Sequence, residues 1–355
     1  MKISDIQKLL TVSSAARFLC VATAAACLLF YTEAAAMGVS EGLLMCARTI
    51  VPTMFPMMLL CSYALKSGAD KPLGALLGRA VSALFGLSPQ CTGAILAGAI
   101  GGYPAGAAAI ASLYKSSSIC AAQAQRLFLF AINGGPAFII SAIGFGMLGN
   151  LRTGAVIYVC ILLSGTVLGI FLKLFGSRTD QGLPVQASPG RVRALTGAVS
   201  ESSQAIFGVC SWVVAFSCMG GVLEQIIHNE HSIVLIRSIL EVSTGAKSSA
   251  ELFGAPGAAA AAAFGGISVL CQIMPYADLC GVELKKLLAF RVAHAALSAF
   301  FTGIMLRIFP SAAQTVTAGI SVYKAAMSYS VPAAAALLLM CALFILDVDY
   351  SRKKC

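Results

Sequence analysis

Long apolar tracts recur along the whole chain and are separated by short polar or charged segments. A helix needs about 20 apolar residues to cross the hydrocarbon core of a bilayer. Tracts of about that length cover residues 18–37, 43–65, 154–175, 205–227, 285–309 and 331–346. The pattern therefore predicts an all-α polytopic membrane protein, with about 8–10 membrane segments once shorter tracts are included.

The other apolar tracts are too short or too broken to cross as plain helices. They cover residues 73–87, 91–112, 119–132 with 137–149, 232–244 and 254–274, and Gly and Pro interrupt several of them. Main chain that is not helical is tolerated at membrane depth only where protein or a water-filled cavity satisfies its polar groups. We therefore predict Gly/Pro-broken re-entrant hairpins near 91–112 and 254–274, beside an internal polar site.

The two predicted hairpins have similar sequences. Each unit reads Phe-Gly, a proline, a tract of small residues, Gly-Gly, a polar turn and an amphipathic helix, from Phe85 to Gly135 and from Phe253 to His294. Broken segments in corresponding positions of two halves are typical of a transporter binding site. The sequence thus predicts an internal repeat, either parallel or inverted. The spacing of Gly98, Gly102 and Gly106 is also typical of close helix packing without a functional role, and both interpretations stay open.

Composition and charge support a bilayer environment. Hydrophobic residues make up 59% of the 355-residue chain and charged residues only 11%, against about 25% in soluble domains. The formal charge is +10, and the basic residues lie mostly between apolar tracts, which indicates orientation in the membrane and attraction to anionic lipid. The continuous basic face with interleaved aromatics that would indicate nucleic-acid binding is missing from the sequence.

These features predict five segments along the chain. We expect an interfacial N-terminal segment, a first membrane half, a cytoplasmic loop, a second membrane half and a basic tail at residues 1–17, 18–175, 176–204, 205–346 and 347–355. The loop is placed in the cytoplasm because it is rich in Arg and Lys.

Sequence patterns for catalysis or metal binding are missing. The 13 cysteines are scattered without a C-x-x-C pair, and the three histidines form no H-E-x-x-H sequence. Neither a clustered metal site nor a nucleophile with a matched base is indicated. We therefore expect no enzyme activity, no metal and no cofactor.

Ionisable residues inside membrane segments are costly, so they usually face a cavity or a partner. Arg126, Phe130 and Asn133 have the spacing of one helix face, and Arg291 shares a face with His294 in the matching helix of the second half. The arginines would attract a substrate anion, or alternatively extend to the lipid headgroups. The predicted substrate-binding residues are Gly101, Gly102, Tyr103, Pro104, Arg126, Asn133, Gly265, Gly266, Gln272 and Arg291.

One acidic residue lies in an apolar context. Glu241 and Thr244 end a short apolar tract just before Gly245, which we expect to stop the helix. Glu241, with Thr244, is therefore the candidate for accepting a coupling proton or sodium ion. Alternatively, Glu241 pairs with Arg237, four residues earlier on the same helix face.

Several stretches between about Glu41 and Phe309 resemble a known family. They are P-T-M-F-P (Pro52 to Pro56), G-G-Y-P-A-G-A (Gly101 to Ala107), R-L-F-L-F-A-I-N-G-G-P-A-F-I (Arg126 to Ile139), L-E-V-S-T-G (Leu240 to Gly245) and F-G-G-I-S-V-L-C-Q (Phe264 to Gln272). In these stretches the chain is similar to the YlbJ-type sporulation integral membrane proteins, which carry the Gate, or nucleoside-recognition, domain. It departs from their pattern at Gly134, where Asn is expected, and at Leu270, where His is expected.

The resemblance implies a role in endospore formation, in the cell membrane or the outer forespore membrane of a spore-forming bacterium. It also implies movement of dipicolinic acid, a small aromatic dicarboxylate, toward the forespore, where the cortex needs it. A nucleoside-like solute is the other candidate at family level. From the residues we expect a transporter of a small organic anion in the lipid bilayer. The alternative is a non-transporting membrane scaffold for spore assembly, and homo-oligomer formation is left open.

Overall fold

The computed structural model describes residues 3–175 and 191–309, and all regular structure in these two ranges is helical. The helices, in chain order, are α1 (Ile3–Phe30), α2 (Thr32–Met45), α3 (Val51–Ser67), α4 (Lys71–Phe85), α5 (Cys91–Leu96), α6 (Tyr103–Lys115), α7 (Ala121–Phe130), α8 (Leu151–Phe175), α9 (Arg191–Ile226), α10 (Glu230–Leu240), α11 (Val242–Phe264), α12 (Gly266–Leu279) and α13 (Leu284–Ile308). Three wider π-helical segments, π1 to π3, cover Cys46–Ile50, Ala97–Gly101 and Ala137–Met147.

Five helical stretches in the described ranges are long and apolar enough to cross a membrane. They are Thr32–Ser67, Leu151–Phe175, Ala194–Ile226, Val242–Leu279 and Leu284–Ile308, and shorter apolar helices accompany them. Many of their large apolar side chains face outward, among them Phe171 and Phe300. The chain is therefore an all-α, membrane-embedded protein, as its hydrophobic pattern predicts.

Three of the predicted spans, 154–175, 205–227 and 285–309, correspond closely to α8, the second part of α9, and α13. The predicted span 18–37 is wrong, because α1 ends at Phe30 and α2 begins at Thr32. The Thr32 hydroxyl donates to the carbonyls of Leu28 and Leu29, which the end of α1 leaves without helical partners.

Two other predictions concern segments that lie partly or wholly outside the described ranges. The segment 176–204, predicted as a loop, is helical from Arg191 onward, since α9 begins there. The span at 331–346 and the tail at 347–355 lie outside the described residues.

Two long helices form an antiparallel pair, which we name the long-helix pair. One is the continuous stretch Thr32–Ser67, made of α2, π1 and α3, and the other is α9. A methyl group on Gly42 would lie 3.0 Å from the Cα atom of Val214, so the two backbones approach as closely as small-residue membrane interfaces allow. The pair has its own apolar core, formed by Cys46, Ile50, Met54, Met58, Ile206, Val209 and Val213.

The elements from α4 to α8 and from α10 to α13 form a second region, which we name the broken-helix region. Its buried core is larger and includes Leu127, Phe128, Ile139, Ile161 and Ile273. In this region the chain repeatedly leaves the helical conformation inside apolar sequence. Gly102 has φ 89° and ψ −174°, a conformation that is essentially restricted to glycine. The chain also turns sharply at Gly265 and Gly266, with φ 84° and 73°.

The chain folds back on itself at Gly102. A methyl group on Gly106 would lie 2.6 Å from the Cα atom of Gly98, although eight residues of straight helix would span about 12 Å. The second half has a similar reversal at Gly254, with φ 66° and ψ −158°. There, a methyl group on Gly257 would lie 2.5 Å from the carbonyl oxygen of Ser249. Both predicted glycine pairs therefore lie at or beside real interruptions of the helices.

Candidate functional site

Arg291 is a deeply buried charged side chain with open hydrogen-bonding capacity. It projects from the first third of α13 and is only 2% exposed. Its Nη1 donates to the carbonyl of Ile132 at 2.8 Å and reaches the carbonyl of Ala263 at 3.5 Å. Its Nε and Nη2 atoms are buried and have no hydrogen-bond partner. One edge of the guanidinium fork is thus bonded, and the other is unsatisfied.

The carbonyls that hold this side chain come from helix ends. The last four carbonyls of a helix lack intrahelical donors, and α11 ends at Phe264. Arg291 approaches the carbonyl of Ala263, while the hydroxyl of Tyr103 donates to the carbonyl of Ala262. The interruption at Gly265 therefore creates the acceptors that these two donors use.

Tyr103 links Arg291 to the break at Gly102. The Cζ atom of Arg291 lies 5.7 Å from the centre of the Tyr103 ring, over its face, where a cation is attracted to the π system. A methyl group on Gly102 would lie 3.3 Å from the backbone nitrogen of Gly135. One on Gly134 would lie 3.0 Å from the Tyr103 hydroxyl. The break at Gly102, the segment 131–136 and the end of α11 therefore meet around Arg291.

Asn133 and His294 lie close to the same place. The Nε2 atom of His294 is 3.0 Å from the carbonyl oxygen of Ile161 in α8. Gly165 leaves room for both side chains, because a methyl group there would be 3.6 Å from Asn133 Oδ1 and 3.7 Å from His294 Nε2. Asn133 is 5% exposed, and its Oδ1 atom has no partner. An unbonded acceptor thus lies near the segment that contacts Arg291.

Glu241 occupies the break between α10 and α11. Its backbone is extended, with φ −141° and ψ 131°, and its Oε2 accepts from the backbone nitrogens of Ser243 at 2.9 Å and Thr244 at 2.7 Å. The Thr244 hydroxyl also donates to Oε2, at 3.1 Å. The other oxygen, Oε1, is buried without a partner, and the residue is 1% exposed. Glu241 therefore caps α11 and keeps one carboxylate oxygen open.

Two expectations about this segment are corrected. Gly245 lies inside α11 and does not stop a helix, because Glu241 is the N-cap from which the new helix begins. Arg237 forms an ion pair with Glu224 of α9, while Glu241 Oε2 is bonded to Ser243 and Thr244.

A small cavity adjoins this cluster. About 20 Å³ of it is open to the centre of a water molecule, enough for one water. Its polar lining comes from Tyr103, Ser243 and Gln272, and the Ser243 hydroxyl is buried without a partner. Gln272 of α12 thus lines the same cavity as Tyr103. A methyl group on Gly266 would lie 3.2 Å from the backbone nitrogen of Glu241. One on Gly101 would lie 3.1 Å from the Sγ atom of Cys61.

Arg126 lies elsewhere. Its Nη2 donates at 2.6 Å to the carbonyl of Phe85, at the end of α4. The predicted shared face of Arg126, Phe130 and Asn133 is wrong, because α7 ends at Phe130 and Asn133 belongs to the non-helical segment that follows. The two arginines have similar sequence contexts but different surroundings.

Sequence reasoning also missed a polar contact between the two longest uninterrupted helices of the broken-helix region. The hydroxyls of Ser164 in α8 and Ser298 in α13 are 2.6 Å apart, and both residues are fully buried. Small hydroxyl residues within apolar tracts are a weak signal for such interhelical hydrogen bonds. Comparison with known proteins adds no identification: no family model, curated protein or solved structure matches the chain.

Proposed function

We propose that this protein is an integral membrane transporter of a small organic anion. The observation that supports the proposal best is the buried, unsatisfied Nε–Nη2 edge of Arg291. A guanidinium that has no buried acceptor on one edge is costly in a low-dielectric interior. A carboxylate placed there would accept two parallel hydrogen bonds and neutralise the charge, which is the usual geometry of arginine–carboxylate pairs.

The surroundings favour a transported ligand over a purely structural one. Interrupted helices at membrane depth are typical of solute sites in transporters. Both α6 and α12 begin at such interruptions, so their N-termini add positive dipole near the proposed anion. The Tyr103 ring offers a flat apolar surface next to Arg291, which suits an aromatic carboxylate.

We infer that the chain reversals at Gly102 and Gly254 are the tips of two re-entrant hairpins, at 91–115 and 242–264. The second lies earlier in the chain than the hairpin near 254–274 that the sequence predicts. In each half, the hairpin is followed by an intervening segment and then by a helix of 25 residues, α8 or α13. The contact between Ile161 and His294 joins residues that are 133 positions apart and equally placed in these two helices. Equivalent residues of a two-fold pair meet at its axis, so this contact supports a repeat that pairs α13 with α8 instead of with the helix at Arg126.

The resemblance described above directs the choice of substrate. We propose dipicolinic acid, moved toward the forespore across the cell membrane or the outer forespore membrane of a spore-forming bacterium. Its two carboxylates and aromatic ring fit the chemistry around Arg291 and Tyr103. A nucleoside-like solute is the second candidate, and the open acceptor of Asn133 favours it.

Glu241 is the proposed coupling residue, with Thr244 as its support. An anion that neutralises Arg291 would leave the buried carboxylate of Glu241 as the uncompensated charge of the cluster. Uptake of a proton or a sodium ion at its open Oε1 would then become favourable. Substrate and coupling ion would thereby promote each other's binding.

Uptake of radiolabelled dipicolinate into proteoliposomes tests the proposal. We expect Arg291→Gln to raise the KM by roughly 10- to 100-fold, the effect of losing a charged hydrogen-bond pair. Arg126→Gln is the matched control, because that guanidinium binds the end of α4; its uptake should stay near that of the unaltered protein. Labelled uridine in the same vesicles tests the second candidate.

The outcomes separate the alternatives. Equal loss in both variants would restore the predicted role of Arg126 in anion binding. Normal dipicolinate uptake by Arg291→Gln would remove the arginine site. If the unaltered protein moves neither solute, the non-transporting scaffold gains support.

A further inference from the structure

Two cavities lie along one interface of the molecule, between the long-helix pair and the broken-helix region. The smaller one, beside Tyr103, is bordered on the other side by Met54 and Val209 of the long-helix pair. The larger one has about 30 Å³ open to the centre of a water molecule and lies between α3, α9 and α6. Both cavities therefore lie between the same two regions of the protein.

The two cavities follow each other along these helices. On the first long helix, the smaller cavity contacts Ile50 and Met54, and the larger begins at Met58. On α9, which runs in the opposite direction, Val209 lines the smaller cavity and Ala205 lines the larger. Their linings thus continue from the middle of the long-helix pair toward the end of α3.

An ion pair stands at the far end of the larger cavity. Lys66 Nζ lies 3.1 Å from Glu201 Oε2, and the Ser62 hydroxyl donates to the same oxygen at 2.7 Å. Both charged side chains are about one-third exposed, at 31% and 30%. The neighbouring Ser202 is 2% exposed, and its hydroxyl has no partner. This end is therefore polar and partly open, in contrast to the apolar lining at Met54 and Met58.

We propose that the two cavities are parts of one solute pathway, which leads from the Arg291 site to a mouth closed by the Lys66–Glu201 pair. This inference rests on the proposed transport function. Tyr103 separates the smaller cavity from Arg291, and Met54 and Met58 separate the two cavities. Methionine side chains are flexible enough to move aside for a passing solute. Lys66 gives an anion its first contact at the mouth, because displacing Glu201 frees the ammonium group.

The native thiol of Cys61 tests the pathway, because it lines the larger cavity. In a variant that keeps only Cys61, we expect a charged, membrane-impermeant methanethiosulfonate to modify it. Dipicolinate at saturating concentration should slow the modification at least threefold. The matched control keeps only Cys160, which is 0% exposed in α8 and should stay unmodified.

Substitution at the mouth gives a second measurement. Glu201→Gln weakens a partly exposed ion pair, so the modification of Cys61 should accelerate by up to about fivefold. An unchanged or slower rate would remove the ion pair as the closure. If Cys61 resists the charged reagent while the protein transports dipicolinate, the pathway is wrong and the transport function stands. If Cys61 reacts but no anion is transported, the proposed function fails and the water-accessible cavity stands.

Discussion

The long-helix pair and the broken-helix region both depend on glycine, but they use it in opposite ways. In the long-helix pair, Gly38 and Gly42 lie inside α2, and their missing side chains admit the backbone of α9. In the broken-helix region, Gly102 and Gly265 adopt positive φ values directly after π2 and α11 end. The first use lets two helices pack closely, and the second terminates helices.

The difference decides where polar chemistry can exist in an apolar protein. A continuous helix satisfies its own interior carbonyls and nitrogens, so close packing leaves few groups to bind a solute. Each interruption exposes backbone groups that need partners. The end of α11 supplies the carbonyls of Ala262 and Ala263, to which Tyr103 and Arg291 are directed. The proposed binding chemistry therefore follows from the breaks.

The strongest test of the comparison removes a cap. Glu241→Ala leaves the buried nitrogens of Ser243 and Thr244 without an acceptor, so we expect a loss of about 3 kcal/mol in unfolding free energy. Glu241→Gln keeps an acceptor oxygen and should retain most of that stability, while accumulation driven by an ion gradient is lost. Denaturation in detergent and uptake with and without the gradient measure the two effects. Full gradient-driven accumulation by the Gln variant would exclude Glu241 from coupling.

A smaller loss is expected where a break itself is altered. Gly102→Ala forces a side chain into a conformation that costs about 1–3 kcal/mol, close to the Gly135 nitrogen at 3.3 Å. We expect a lower melting temperature and little remaining uptake, because Tyr103 follows directly. An alanine variant that keeps full uptake would show that the break at Gly102 is dispensable for the site.

The smallest effect is expected in the long-helix pair. Gly42→Ala pushes α2 from α9 and should cost about 1 kcal/mol of stability, at the low end for overpacking, with the KM for substrate unchanged. Gly208→Ala is the matched control, since nothing lies within 4 Å of a methyl group there and alanine favours the helix. A changed KM in Gly42→Ala would mean that the two regions are not separate in function.

Individual residues show how far sequence reasoning reaches. The helix breaks at Gly101–Gly102 and Gly265–Gly266 follow from local composition, and the structure has helices ending at both. The predicted shared face of Arg126 and Asn133 is wrong because α7 ends at Phe130, and helical periodicity does not continue to Asn133. The cap formed by Glu241 was missed for a related reason: a carboxylate after an apolar tract gives no sign of whether it ends one helix or begins the next.

The sequence by itself determined that this chain is helical and membrane-embedded, since the length of apolar tracts depends on the order of residues and the low charge on composition. It also determined two of the helix breaks, at Gly101–Gly102 and Gly265–Gly266, because glycine acts on its own backbone. Only the tertiary structure decided which arginine is buried with an open edge. That choice depends on which orphaned carbonyls reach the guanidinium, and the carbonyl of Ile132 comes from 159 residues away along the chain.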